Sequence, residues 1–274
     1  MQLRFLGTAG AEGWPAVFCS CRACRDAWAA GGKNIRTRAS LLLDGEILVD
    51  FPPDVYHHFL TYGLEYRKLK YLLVTHGHRD HFSPAELKWR KEPFVDTEGC
   101  ETLTIAGNRY IMDRLRETLE APGEYKIITK ELEAFHREKL GRFTVWPLPA
   151  SHCPEKGAFL YLLAGGGKRI FVAYDSGWFS GPVWEWLAEN TDQPLDCVVM
   201  ECTAGPAEGG EEHMGFTEVL RTRDRLAKIG LLRPDTLCLT THFSHTGGLL
   251  HHQLEEFFSP EGMTVAYDGL EVDL

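Results

Sequence analysis

Three histidines and an aspartate crowd into one short stretch, directly after a run of apolar residues. The apolar run, residues 71–74, has the length and composition of a strand that is buried on both faces. The stretch that follows it supplies His76, His78, Asp80 and His81. Side chains two residues apart on an extended chain point to the same side, so His76 and His78 can reach one cation. The pattern therefore predicts a metal site at the end of a core strand.

Three further candidate ligands each come directly after another predicted strand: His152, Asp175 and His242. Taken alone, each of them also fits an ordinary capping or surface role. Because ligands of open α/β sheets gather at the carboxyl ends of strands, we expect these three side chains to meet the histidine-rich stretch.

The predicted elements indicate a single α/β domain over residues 1–274, made of two similar halves, residues 1–142 and 143–274. A chain of 274 residues is long enough to bury a substantial core without cross-links. Strands that alternate with helices favour two sheets covered by helices. Strands are predicted at residues 2–6, 39–43, 46–50, 71–75, 103–106, 143–148, 158–164, 169–174, 196–200 and 236–240, and helices at 109–119, 182–189, 216–228 and 249–258.

Composition and charge exclude several classes of protein. The chain has 29 Lys and Arg against 39 Asp and Glu, a formal net charge of −10, which disfavours a broad nucleic-acid surface. No stretch approaches the roughly 18 consecutive apolar residues of a membrane span. Residues 1–7 lack the basic and apolar segments of a signal peptide. We therefore expect a cytoplasmic protein with no nucleic-acid partner and no membrane contact.

A second cluster consists of three cysteines, Cys19, Cys21 and Cys24. Cysteines this close together make poor disulfides, and clustered cysteines in a cytosolic chain indicate a metal. Three thiolates leave room for a fourth ligand. The alternative is a set of reduced thiols that bind nothing.

The histidine-rich stretch with its distant His, Asp and His resembles the hallmark of the metallo-β-lactamase superfamily. The resemblance implies a four-layer αββα sandwich and two catalytic divalent ions, Zn²⁺ or Mn²⁺. Two such ions can share a hydroxide nucleophile and stabilise the attacking and leaving oxygens. Carried over position by position, His76, His78 and His152 bind one ion, Asp80, His81 and His242 bind the other, and Asp175 bridges both.

The cysteine loop and the residues before it, 7–15, resemble the PhnP-type phosphodiesterases of the carbon–phosphorus lyase pathway, and also the PqqB-type proteins. In the PhnP type, three cysteines and a histidine hold a structural zinc. The resemblance therefore implies a structural Zn²⁺ on Cys19, Cys21, Cys24 and His245. Such a closed set leaves no position for a substrate.

The resemblance also assigns catalytic roles. Asp80 and Asp175 orient the hydroxide, and His213 matches an active-site histidine of the PhnP type. We expect His213 to act as a general acid toward the leaving alkoxide, because imidazole titrates near neutral pH. Glu211 and Glu212, which lie beside it in the sequence, are the expected partners that keep it protonated.

The activity that follows from the resemblance is a phosphodiesterase that opens a small cyclic phosphate of the ribosyl kind. Its partner is then a small-molecule phosphodiester, and a homodimer is left open. Alternatives are an RNase Z-like nuclease, an ester or thioester hydrolase, and a PqqB-like non-hydrolytic protein of cofactor biosynthesis. The family usually continues Asp-His-x-x-Gly-Leu, whereas here Asp80 and His81 are followed by residues 82–87, Phe-Ser-Pro-Ala-Glu-Leu. The segment of residues 98–139 is also long and unusually charged. The metal chemistry is therefore better supported than the substrate.

Four other histidines occur in two pairs within predicted helices: His57 with His58, and His251 with His252. We expect them to be partly exposed helix residues rather than metal ligands.

Overall fold

A computed structural model describes residues 1–190 and 192–274. These residues form six α-helices and fourteen strands, and the strands make up two sheets. The strands are β1 (Gln2–Gly7), β2 (Ser40–Leu43), β3 (Ile47–Val49), β4 (Tyr71–Leu73), β5 (Leu103–Gly107), β6 (Ile127–Glu131), β7 (Glu138–Leu140), β8 (Phe143–Pro149), β9 (Phe159–Gly165), β10 (Lys168–Ala173), β11 (Cys197–Glu201), β12 (Leu237–Thr241), β13 (Met263–Val265) and β14 (Glu271–Asp273). The helices are α1 (Arg22–Ala30), α2 (Val55–Tyr62), α3 (Arg109–Thr118), α4 (Gly181–Glu189), α5 (Phe216–Lys228) and α6 (His251–Phe258).

Each sheet has seven strands. The first has the order β14-β1-β2-β3-β4-β5-β6, and the second the order β13-β12-β11-β10-β9-β8-β7. Strands β3 to β6 pair in parallel, and so do β10 to β13. Parallel strands end at the same edge of their sheet, so the residues that follow β3, β4, β10 and β12 are brought to one end of the molecule.

Three apolar clusters show that the sandwich has four layers. The central cluster joins the two sheets through side chains such as Phe5 and Val172. A second cluster packs the first sheet against α2 and α3, and a third packs the second sheet against the other four helices. Strand β10 shows why this works, because Ile170 and Val172 face the other sheet while Phe171 and Ala173 face the helices. The expected αββα sandwich is confirmed.

Several short elements were not predicted from the sequence. They are β6, β7, β13, β14 and α1. In β6 only Ile127 is buried, and β14 has no buried residue, so neither shows the hydropathy pattern of a core strand. Strand β7 pairs with β8 and β14 pairs with β1, so the sheets do not divide the chain at residue 142.

The prediction for the paired histidines is wrong for one member of each pair. His57 and His252 are exposed, but His58 and His251 are buried. His58 Nε2 lies 2.8 Å from Thr37 Oγ1, and His251 Nδ1 lies 2.9 Å from an Arg36 guanidinium nitrogen. Both belong to polar contacts between the helices and the loop before β2. None of the described helices has the length and hydropathy needed to cross a membrane.

Candidate metal centre

Seven of the predicted site residues meet at one end of the sandwich, each placed there by the end of a strand. The histidine-rich stretch follows β4, His152 follows β8, Asp175 follows β10 and His242 follows β12. His76, His81, Asp175 and His242 are almost fully buried. The strand framework therefore brings together side chains that are up to 166 residues apart in the sequence.

The first group consists of three histidines. Nε2 of His152 lies 3.0 Å from Nδ1 of His78. The ring centre of His76 lies 4.7 Å from that of His78 and 4.8 Å from that of His152. Ligand atoms of these three residues and the Cys153 thiol all lie within 4.8 Å of one another. This is the set that the sequence assigned to one ion, with Cys153 as an additional neighbour.

The second group consists of Asp80, His81, Asp175 and His242, and all four are buried. The Nε2 atoms of His81 and His242 lie 3.1 Å apart. Asp80 Oδ2 lies 3.2 Å from His81 Nε2 and 3.8 Å from His242 Nε2. The structure therefore also brings together the set that the sequence assigned to the other ion.

The Asp175 carboxylate lies between the two groups. Its Oδ2 is 3.4 Å from Nε2 of His76, a member of the first group, and 3.1 Å from Nε2 of His81, a member of the second. Its Oδ1 is 3.0 Å from Nε2 of His242. A single carboxylate thus reaches imidazoles of both groups.

The donor atoms suit divalent cations. His76 Nε2, His152 Nδ1 and Asp175 Oδ1 are buried and make no hydrogen bond within the described residues. Burial raises the pKa of Asp175, but the positive charges of His242 and His81 outweigh it and hold that pKa well below its ordinary value. Ionised carboxylates and imidazoles are common ligands of Zn²⁺ and Mn²⁺. Buried ligand atoms without hydrogen bonds, packed this closely together, are expected where a cation completes the site.

Two further residues contact the ring nitrogens of candidate ligand histidines that face away from the centre. Asp50, at the end of β3, places Oδ2 2.6 Å from His81 Nδ1 and accepts hydrogen bonds from the backbone N and the hydroxyl of Thr75. Thr203 Oγ1 lies 2.8 Å from His242 Nδ1. Contacts of this kind fix the orientation of a ligand histidine and raise its basicity. In the sequence, Asp50 ends a predicted strand and belongs to the family resemblance, but it was not predicted as a site residue.

The three cysteines form a separate cluster with His245. Nδ1 of His245 lies 3.7 Å from the sulfur of Cys19 and 3.5 Å from that of Cys21. All four ligand atoms, including Sγ of Cys24, lie within 4.8 Å of one another, and none of these cysteines forms a disulfide. Hydrogen bonds from the Cys24 backbone and from His245 lower the pKa of the Cys21 thiol to about 6. Burial raises the pKa of the Cys24 thiol to about 11. Three cysteines and one histidine are a ligand set of structural zinc sites.

A sequence family described as the β-lactamase superfamily domain matches residues 46–243. This match covers well over half of the chain and includes both groups of the candidate centre. The chain belongs to the metallo-β-lactamase superfamily.

Two curated relatives align with this chain over only part of their own length. The octanoyltransferase of Porphyromonas gingivalis is 24% identical over an alignment of 288 positions, gaps included. The alignment covers 99% of this chain and 51% of that protein. The coenzyme PQQ synthesis protein B of Methylobacterium nodulans is 32% identical over 194 residues, which cover 62% of this chain and 64% of that protein. The chain thus spans about half to two thirds of the length of these relatives.

Solved structures share the fold over the whole chain. A diphosphatase from the PhnP family has a TM-score of 0.75 at 20% identity, covering 100% of this chain and 97% of its own. Zn²⁺-bound PqqB from Methylobacterium extorquens has a TM-score of 0.76 at 17% identity, covering 100% of both chains. These similarities establish the fold.

Four residues at this metallo-β-lactamase centre have a left-handed backbone: Asp50 (φ 65°), Cys153 (φ 35°), Asp175 (φ 27°) and His242 (φ 57°). Such conformations are unfavourable for residues with a side chain, at about 1–3 kcal/mol each, and they concentrate at functional sites. Asp175 and His242, whose Oδ1 and Nε2 atoms lie 3.0 Å apart, thus both stand on a backbone of this kind.

His213 lies beside the metal centre, but its partner differs from the expected one. Its ring centre is 4.9 Å from that of His152. Nδ1 of His213 lies 3.2 Å from Oε1 of Glu201, the last residue of β11, and Glu201 raises the pKa of His213 to about 9 against the opposing effect of burial. Of the two expected partners, Glu212 does contribute, because its charge also raises the pKa of His213, although its carboxylate lies 3.6 Å from Nδ1 of His152. Glu211 was the wrong expectation: among the described residues it contributes its backbone carbonyl, which accepts a hydrogen bond from Gly177 N.

Glu201, like Asp50 and Thr203, is a candidate site residue that was not predicted from the sequence. Its carboxylate has no solvent exposure, and it accepts hydrogen bonds from the backbone N of Met214 and of Thr203. The signal was the same as for the metal ligands, a carboxylate at the end of a buried strand.

Proposed function

We propose that this chain is a dinuclear metal-dependent phosphodiesterase that opens a small cyclic phosphate. One observation supports this above all: Asp175 lies within 3.4 Å of imidazoles from both ligand groups. A carboxylate in that position suits two adjacent cations, and such pairs catalyse in-line displacement at phosphorus.

The residues that would hold the two ions follow from the distances above. His76, His78 and His152 would bind one Zn²⁺ or Mn²⁺, Asp80, His81 and His242 the other, and Asp175 both. When bound, such ions acidify water to a nucleophile near neutral pH and neutralise charge on phosphoryl oxygens. A structural Zn²⁺ would occupy the separate cluster of Cys19, Cys21, Cys24 and His245.

The protein's own groups perform the remaining steps. Asp80 and Asp175 accept hydrogen bonds from the attacking water and so orient it toward phosphorus. Glu201 Oε1 accepts a hydrogen bond from the N–H at Nδ1 of His213, which leaves the N–H at Nε2 of the same ring free to donate a proton. His213 then donates its Nε2 proton to the departing alkoxide as the P–O bond breaks. General acid catalysis of this type contributes about 10²–10⁴-fold to a rate.

A substrate panel tests the proposal. The protein, purified and loaded with Zn²⁺ or Mn²⁺, is assayed with a ribosyl cyclic phosphate, bis(p-nitrophenyl) phosphate, a thioester and a structured RNA. We expect turnover of the phosphodiesters, and loss of nearly all of it in Asp175→Asn. Hydrolysis of the thioester or the RNA in preference to the small phosphodiesters would overturn the assignment. The net charge of −10 already counts against the RNA.

A second candidate function is a PqqB-like, non-hydrolytic role in cofactor biosynthesis. It is favoured by the 32% identity to the PQQ synthesis protein over 62% of the chain. Full metal loading without hydrolysis of any substrate in the panel would favour this candidate instead.

A further inference from the structure

A cavity of about 690 Å³ opens beside Asp80, between the cysteine loop and the histidine-rich stretch. Its lining includes Val17, Phe18, Arg38, Arg79 and Asp80. A volume of this size lies within the range of pockets that enclose a small organic ligand. The cavity therefore extends the metal centre outward, in a direction where the non-reacting part of a substrate can lie.

One wall of this cavity is apolar and exposed. Phe18 is the most exposed large apolar side chain in the described part of the chain, and Val17 beside it is 70% exposed. Both directly precede Cys19, a member of the Cys₃His cluster that anchors their loop. Exposed apolar residues are common singly, but a pair that lines a cavity next to a candidate active site is typical of a ligand surface.

The lining of the cavity also includes a guanidinium group without an ion-pair partner among the described residues. Arg79 is exposed and makes no ion pair or hydrogen bond with any described residue. Arg38, by contrast, forms an ion pair with Asp54, in which a guanidinium nitrogen lies 3.2 Å from Oδ1. Its Nε also donates a hydrogen bond to the carbonyl oxygen of Ala11. Arg79 is thus the guanidinium of this lining that is free to bind an anion, and guanidinium groups match the oxygen geometry of phosphate.

We propose that this cavity is a binding site for phosphate esters that carry a flat aromatic ring. Phe18, with Val17 beside it, packs against the ring, and Arg79 binds a phosphate oxygen outside the metal centre. The inference rests on the proposed phosphodiesterase function and narrows its substrate, because a bare sugar phosphate makes no use of the apolar wall. Nucleotides and simple aryl phosphates both have the required chemistry.

Affinities measured by calorimetry on the metal-loaded protein distinguish nucleotides from simple aryl phosphates as the ligand. Adenosine 5′-monophosphate carries a nucleobase, phenyl phosphate a simple ring, and ribose 5-phosphate no ring. We expect Phe18→Ala to weaken binding of adenosine 5′-monophosphate about 5- to 100-fold, as for a base stacked on an aromatic residue, and to leave ribose 5-phosphate unchanged. An equal loss for phenyl phosphate indicates recognition of any aryl ring, and a loss for the nucleotide alone indicates a nucleobase.

Two further variants complete the test. Arg79→Met should weaken all three ligands about 10-fold at unchanged metal content, with partial recovery in Arg79→Lys. Phe94→Ala, which removes an aromatic residue of 60% exposure outside the cavity, should change nothing. The inference is overturned if wild type binds ribose 5-phosphate as tightly as adenosine 5′-monophosphate, or if Phe18→Ala weakens neither ringed ligand. If either of these results is found while phosphodiesters are still hydrolysed, only the proposed binding site is refuted and the proposed function is retained. If ringed ligands bind as expected but no phosphodiester is hydrolysed, only the proposed function is contradicted.

Discussion

Oε1 of Glu201 accepts a hydrogen bond from the backbone N of Met214 at 2.8 Å and lies 3.2 Å from Nδ1 of His213. The carboxylate is buried, so it fixes both the loop and the tautomer of the imidazole that the loop carries. The Glu201–His213 pair therefore has the arrangement of a general acid and the group that orients it.

This arrangement predicts that His213→Ala slows hydrolysis in a way that depends on the leaving group. The loss should be about 10²–10⁴-fold for a phosphodiester with a poor alkoxide leaving group. It should be small for bis(p-nitrophenyl) phosphate, because p-nitrophenolate departs without a proton. Steady-state rates with both substrates, at confirmed equal metal content, provide the measurement.

Two controls sharpen that comparison. Glu201→Gln keeps the shape of the side chain and should show the same leaving-group dependence in weaker form. Glu211→Gln should have no effect, since Glu211 uses only its backbone carbonyl here. Equal losses on both substrates, or a lost ion, would show that His213 does not act as the acid.

Much of this site could be predicted because metal ligands leave a strong local signal. Histidines and aspartates at the ends of apolar strands stand out, and all seven predicted ligands do meet in the structure. Glu201 ends a strand in the same way, yet nothing in its spacing links it to His213, twelve positions later. Only the packing of the 205–215 loop against Gly177 and β11 shows that link.

The fold was predictable to a similar extent. Strands buried on both faces, such as β4 and β10, show clearly in the sequence. Strands β6 and β14 are polar edge strands whose pairing depends on neighbours far away in the sequence, so hydropathy could not reveal them.

The contact between Asp50 and His81 predicts an effect on metal affinity. Asp50→Asn removes the charge 2.6 Å from His81 Nδ1 and should weaken metal binding about 10- to 100-fold. Competition with a chelator of known affinity measures this. Asp54→Asn is a matched control, since Asp54 pairs with Arg38 and touches no ligand. Unchanged affinity in Asp50→Asn would contradict the role assigned to it.

The two metal clusters should differ in what their loss does. Cys21→Ser should lower the melting temperature by about 5 °C or more, because the binding energy of a structural zinc is part of the folding energy. Asp80→Ala should abolish turnover with a much smaller change in melting temperature. Thermal unfolding of both variants beside wild type is the measurement, and a Cys21→Ser variant as stable as wild type refutes the structural site.

His58 predicts how stability depends on pH. Burial, with a smaller effect of His57, lowers the pKa of His58 to about 3, so the folded protein keeps this imidazole neutral. The unfolded chain takes up a proton near the ordinary value of 6.5, so this stability is present above pH 6.5 and is lost as the pH falls toward 3. The slope should reach at most about 1.4 kcal/mol per pH unit.

Denaturant unfolding of metal-free protein between pH 7 and pH 4 measures that slope. The free energy of unfolding of His58→Gln should fall less steeply with acid than that of wild type. His57→Gln, a change at the exposed neighbour, should retain the wild-type slope. Parallel curves for wild type and His58→Gln would rule out His58 as the source.

The number of ions per chain tests the central claim most directly. Protein reconstituted with Zn²⁺ or Mn²⁺, freed of unbound metal and analysed by plasma mass spectrometry, should contain three ions per chain. Two belong to the centre around Asp175 and one to the cluster around Cys21. Asp175→Ala should lose ions from the centre while the third remains. A wild-type protein that retains at most one ion would contradict the account.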